Sequence, residues 1–96
     1  MNELKAALLV ACTKIILRCM REGLAPNSNT AKILRGFAQD HDTECDVPDC
    51  VAGRALRIVA DVAELPDLSE TNLDNLLLAR IDTEVLLAQQ INGLTN

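Results

Sequence analysis

Ninety-six residues carrying a net charge of −5 make one domain with one core, large enough to bury somewhat under about 70% of the surface its unfolded chain would expose. Phe37 is the single aromatic residue and there is no Trp or Tyr, so the core must be aliphatic, and the chain cannot build the ring platforms on which proteins stack loose bases. Net acidity also opposes binding to phosphate backbones unless the basic residues gather on one face.

They gather partly along the chain. Residues 1–39 carry Lys5, Lys14, Arg18, Arg21, Lys32 and Arg35 against Glu3 and Glu22, whereas residues 40–96 carry twelve acids against three arginines. Such a division predicts pairing inside the molecule or between copies, or two partner surfaces of different kinds. Four cysteines could form a disulfide framework, but that pattern belongs to loop-rich exported folds. Leu9-Val10-Ala11-Cys12 resembles a lipoprotein cleavage box, yet the apolar run before it is shorter than the usual length of about 7–15 residues, and Glu3 offsets Lys5. Reduced thiols in the cytoplasm, or in a host cytoplasm for a virus-encoded chain, are therefore expected. No run approaches the length of a membrane span.

Asn2 suits the cap of a first helix that starts at Glu3 and runs without Gly or Pro to Met20. Leu4, Leu8, Leu9, Cys12, Ile15, Ile16, Cys19 and Met20 share one face, opposite Lys14, Arg18, Arg21 and Glu22. Cys12 and Cys19 read as small core residues; seven positions apart on a helix, they are about 10 Å from each other and cannot bridge. Val10 and Leu17 flank the polar stripe and widen the apolar surface beyond the needs of one packing partner, which points to a second contact such as another subunit. Gly23-Leu24 fits a helix stop, and Ala25 to Asn29 is turn chemistry. Ser28 or Asn29 can cap a short second helix from about Thr30 to Gln39, with Ile33, Leu34, Phe37 and Ala38 as its buried stripe and His41 extending it.

Pro48 suits the first turn of a third helix, with Asp46 or Val47 before it and Asp49 at the positive end of its dipole. That helix runs to about Glu64 and turns Val51, Ala52, Ala55, Leu56, Ile58, Val59, Val62 and Ala63 to one side; Pro66-Asp67 stops it. The fourth begins near a cap at Ser69 or Thr71, with Glu70 or Asp74 in its first turn, and is expected to end at Gly93. Leu73, Leu76, Leu77, Leu78, Ile81, Val85, Leu86 and Leu87, with Ala88 and Ile91, cover more than half of its circumference. A helix of that kind needs burial on several sides, as the centre of a bundle or as an oligomer interface. Arg80 and Glu84 interrupt any heptad seam.

Chemistry concentrates in Asp40 to Cys50, which holds five acids, the only histidine and two cysteines. His41, Cys45 and Cys50, with an acid such as Asp49, have the donor types of a tetrahedral zinc site, although the spacing matches no strong signature. An EF-hand would draw on Asp40, Asp42, Glu44 and Asp46, but its glycine position holds Cys45 and its bidentate glutamate position holds Val51. Cys50, placed in the first helical turn on its polar side, is the candidate nucleophile with His41 as base; Asp46 and Asp49 oppose its thiolate. An extended backbone would instead line Asp40, Asp42, Glu44 and Asp46 along one side, an acidic strip able to dock on a basic protein surface.

Together these observations predict an all-α domain spanning residues 1–96: a small four-helix, bundle-like fold of three long helices and one short, with homodimerisation as one way of completing it. The function they favour is that of a non-enzymatic protein-interaction domain that covers a partner protein; a regulator, a chaperone-like adaptor and a virus-encoded inhibitor all fit. Partner binding is assigned to Asp40, Asp42, Glu44, Asp46 and Asp49, and self-association to Leu73, Leu76, Leu77, Leu78, Ile81, Val85, Leu86 and Leu87. No cofactor, membrane or nucleic acid is expected on this reading. The alternatives are a zinc- or thiol-dependent domain at His41, Cys45 and Cys50, and a DNA-binding regulator using Lys14, Arg18, Arg21, Lys32 and Arg35.

Overall fold

Uninterrupted helix formers give α1 (Glu3–Arg21). Its end is closed as Gly23 predicts: Gly23 has φ 73°, the Leu24 N–H donates to the Cys19 carbonyl at 2.8 Å, and the Gly23 N–H donates to the Met20 carbonyl at 3.2 Å. These paired reverse bonds satisfy carbonyls that the helix leaves open, and the left-handed residue between them favours glycine. The structure, a computed structural model, describes residues 3–46, 50–69 and 71–95, the last five as backbone alone. The cap expected at Asn2, the helix start expected around Val47, Pro48 and Asp49, and the first-turn acid Glu70 lie outside the described residues.

α2 (Ser28–Glu44) is longer than the predicted Thr30–Gln39 at both ends. Asn27, not Ser28 or Asn29, is the cap, its Oδ1 accepting from the Thr30 N–H at 3.0 Å. Thr30 is buried and donates its hydroxyl to the Ala25 carbonyl at 2.5 Å. At the other end the weak helix formers Asp40, Asp42 and Thr43 are carried along because the buried stripe of Ala31, Leu34 and Ala38 is anchored. Tertiary packing of one face supplies most helical stability and overrides local propensity. Ile33 and Phe37, expected in the buried stripe, flank it and are exposed.

α3 (Val51–Ala63) starts after Cys50, which occupies the N-cap position. α4 (Leu73–Thr95) starts later than its predicted caps, because Thr71 and Asn72 lie in a turn. In that turn the Ser69 N–H donates to Asn72 Oδ1 at 2.7 Å and the Leu73 N–H to the Ser69 carbonyl at 3.1 Å. Gly93 does not end the helix.

The four helices make an all-α fold, with no strand among the described residues. Its centre is α3, not α4. α3 alone packs against each of the other three helices, and α1 also meets α4. The reason is side-chain size: Gly53, Ala55, Ala60 and Ala63 lie among the buried positions of α3 and let neighbouring helices approach, while Ile58, Val59 and Val62 fill the space between them. Leu8 and Cys12 from α1, Leu34 from α2, and Leu77, Ile81 and Val85 from α4 complete one aliphatic core. The radius of gyration of 13.5 Å is that of a compact domain of this length, about 13 Å. No helix among the described residues is long and apolar enough to cross a membrane.

Part of the charge division is used inside the molecule. Lys5 of α1 pairs with Asp82 of α4 at 2.8 Å. Arg35 of α2 bridges Asp61 of α3 at 2.8 Å and Glu64, the residue that caps its end, at 2.5 Å. Arg80 of α4 meets the same Asp61 at 3.1 Å and Glu84 at 3.0 Å.

Candidate functional site

The end of α2 and the start of α3 bring the chemistry-bearing residues together. His41 and Cys45 are four positions apart, one helical turn, and the Cys45 N–H closes that turn on the His41 carbonyl at 2.8 Å. Both side chains therefore emerge on the same side, facing Cys50 at the head of α3. His41 Nε2 lies 3.2 Å from Cys50 Sγ, and the ligand atoms of His41, Cys45 and Cys50 all lie within 4.8 Å of one another. All three residues are half-buried. The close seating depends on Gly53, which is buried: a Cβ there would stand 3.2 Å from Asp42 Oδ1 and 3.6 Å from His41 Cδ2. Asp42, one residue beyond His41, is tied across the same junction by an ion pair with Arg57 of α3.

The environment favours the Cys50 thiolate. The thiol is brought down to about 7, first by its hydrogen bond with His41 and then by the Ala52 N–H at the start of α3; desolvation opposes them, and Cys45 and the Gly53 N–H add lesser support. A helix N-terminus and an imidazole are the usual means of stabilising a thiolate. Cys12 is the opposite case: buried, with Sγ 3.8 Å from the Ala55 carbonyl, its thiol is pushed up to about 11 by desolvation despite Arg80. Burial also raises Cys19, with Glu22 adding to the effect. All four cysteines are free thiols, and burial sets Cys12 and Cys19 apart from Cys50, whose thiolate the junction favours.

The acidic strip expected from an extended backbone is not formed, because α2 continues through Glu44. Asp42 turns toward Arg57, Asp46 is exposed beyond the helix end, and Asp49 lies outside the described residues. Asp40 and Glu44 take positions that sequence reasoning did not foresee. With Ile33 and Phe37 they are spaced by four, three and four residues, and so form one stripe along α2. All four are exposed, Phe37 by 54% and Ile33 by 42%. Helical periodicity would have revealed this stripe had the helix been extended past Gln39.

Two further apolar surfaces remain open. On α1, Ala6, Val10, Thr13, Leu17 and Met20 follow one another at alternating steps of four and three residues, the spacing of a coiled-coil seam. Val10, Leu17 and Met20 are 56%, 51% and 69% exposed, and Thr13 returns its hydroxyl to the Leu9 carbonyl at 2.7 Å. Toward the end of α1 this face meets a half-open groove of about 460 Å³ lined by Ile16, Cys19, Met20, Leu24 and Leu73 among others. On α4 the residues assigned to self-association divide. Leu77, Ile81 and Val85 belong to the chain's own core, Leu73 and Leu76 pack against it, and Leu78, Leu86 and Leu87 are exposed. Of the basic residues considered for DNA, Arg35 is held by Asp61 and Glu64, and Arg18 pairs with Glu22 on its own helix.

Comparison with protein-family models, with curated proteins and with solved structures finds no match.

Proposed function

We propose that this chain is a protein-interaction domain that acts by binding, not by catalysis, and that α2 is its recognition helix. The observation that carries this reading is the outer stripe of α2. The only aromatic residue of the chain is spent on the surface, beside Ile33 and in line with Asp40 and Glu44. Placing a large apolar side chain in water forgoes about 1.5–3 kcal/mol of burial. An aliphatic and an aromatic anchor followed by two acids is the pattern of a helix laid into an apolar groove with a basic rim. In such a complex the anchors supply affinity, and the acids supply orientation and association rate. The partner is therefore a protein whose groove carries Lys or Arg at one end.

The domain presents this helix as a homodimer, joined through the seam on α1. An antiparallel pairing matches Ala6 with Leu17 and Val10 with Thr13 of the second copy, a self-complementary two-fold contact. It also brings Glu3 near the Arg21 of the second copy, a favourable charge pair at each end of the seam.

The recognition face is tested by quantitative affinity capture from the source cell with three baits: wild type, Ile33→Ser with Phe37→Ser, and Asp40→Lys with Glu44→Lys. A partner retained by wild type and lost from both variants, with the variants still helical by circular dichroism, supports the reading. Capture profiles that do not differ between wild type and the variants overturn it.

A further inference from the structure

We propose that His41, Cys45 and Cys50 form a binding site for one thiophilic divalent metal ion of the zinc class, which clips the end of α2 to the start of α3. The donor set is the first argument. Two thiols and an imidazole suit zinc and its neighbours and do not suit magnesium or calcium, which take oxygen ligands. Geometry is the second. Zn–S and Zn–N bonds of roughly 2.3 and 2.0–2.1 Å at tetrahedral angles place sulfur atoms about 3.8 Å apart and sulfur and nitrogen about 3.6 Å apart. Here all three donor atoms lie within 4.8 Å of one another, with the His41–Cys50 pair at 3.2 Å. Seating an ion asks the widest pair to close by no more than about 1 Å.

The third argument is that the ligands come from two different elements whose approach the fold has already secured. Gly53 leaves room for the His41 ring against α3, and the Asp42–Arg57 pair holds the helix end in place beside it. The ordering entropy that a site in a loose loop must overcome is in large part already met by folding, which raises the affinity of a preformed site. Binding takes both sulfurs as thiolates, releasing to solvent the protons that the two groups still carry, and oxidises nothing. Two thiolates then balance the ion's charge, with imidazole as a neutral third ligand and water in the fourth position. The three ligands are not members of the Ile33, Phe37, Asp40 and Glu44 stripe, although His41 stands one helical turn beyond Phe37 and borders it.

The test uses the full chain, purified metal-free and fully reduced, and titrated with Co²⁺ as the spectroscopic probe and then with Zn²⁺. The expected result is saturation at one Co²⁺ per chain, with the visible bands of a tetrahedral ion and thiolate-to-cobalt charge transfer, all bleached by one equivalent of Zn²⁺. Cys45→Ser and Cys50→Ser should each remove about half of the charge-transfer intensity and weaken binding at least tenfold. His41→Gln should keep that intensity but weaken binding, and Cys19→Ala should change neither. A readout on unaltered protein guards against variants that fold poorly: Zn²⁺ should protect Cys45 and Cys50, but not Cys12 or Cys19, from alkylation mapped by peptide mass. The proposal is overturned if reduced wild-type chain shows no charge-transfer band at millimolar Co²⁺. It is equally overturned if the band survives in the Cys45→Ser, Cys50→Ser double variant. A Cys45–Cys50 disulfide in isolated protein, with no metal uptake after reduction, has the same force.

Discussion

Ile58 is the side chain on which the position of α3 can be tested most directly. It is 1% exposed and sits in the middle of the helix that contacts the other three. Replacing it with Ala removes three methylene-sized groups from the core, about 2.4 kcal/mol of transfer free energy. The surrounding helices cannot close fully over the space, and each Å³ of cavity left adds about 24 cal/mol, so the total is expected at about 3–4 kcal/mol. A domain of this size holds only about 5–14 kcal/mol, so the loss is a large share of its stability. The measurement is urea unfolding followed by far-ultraviolet circular dichroism at fixed protein concentration. With a slope of about 1.5 kcal/mol/M, the midpoint should fall by about 2–2.7 M at unchanged slope. Leu86→Ala, at a position 58% exposed on α4, should shift stability by no more than about 0.5 kcal/mol. A cost below about 1 kcal/mol for Ile58→Ala would refute the placement of α3 at the centre of the core.

Two other expectations follow from geometry already described. Leu17→Asp puts a charge within the α1 seam, opposite Ala6 of the second copy. It should convert a concentration-dependent dimer into a species of 10.4 kDa in sedimentation velocity without loss of helicity, and a wild-type chain that stays at that mass up to high micromolar concentration would rule the seam out. Acid should destabilise the fold through Glu64, whose carboxyl is held below its ordinary value of 4.5 first by the hydrogen bond from Arg35 and further by that residue's charge. Because the folded value lies below the unfolded one, the contribution is fully present above about pH 5 and is lost as pH falls through the folded value. The urea midpoint should therefore be level from pH 7 to about 5 and decline below about 4, and Arg35→Gln should make that decline shallower.

The all-α class and the inward face of α1 were legible because they rest on periodicity. Leu8 and Cys12 project onto one stripe, and both are fully buried. The interior of α3 was legible for the same reason. What could not be read was which helix would be central. The leucines of α4 suggest burial all round, but the small residues of α3 decide the packing, since helices close over Gly53, Ala55 and Ala60 and cannot close as tightly over leucine. Nor was the junction between α2 and α3 visible. Asp-His-Asp-Thr has the composition of a connector, and only its attachment through Leu34 and Ala38 keeps it helical far enough to put His41 and Cys45 on one side. The spacing of His41, Cys45 and Cys50 matched no motif because the site is assembled by a helix end and a helix start, not by a local loop signature.

Among the described residues, the backbone of α2 comes close to α3 and to no other helix. Because α2 packs on α3 alone among the described helices, an opening of the Ser28–Glu44 segment would leave the contacts among α1, α3 and α4 in place. Lifting it would separate His41 and Cys45 from Cys50 and uncover Ala31, Leu34 and Ala38 in one movement. In such an opening the thiol cluster would report the docking of α2 on α3, and an ion held by all three ligands would draw the equilibrium toward the closed side by mass action.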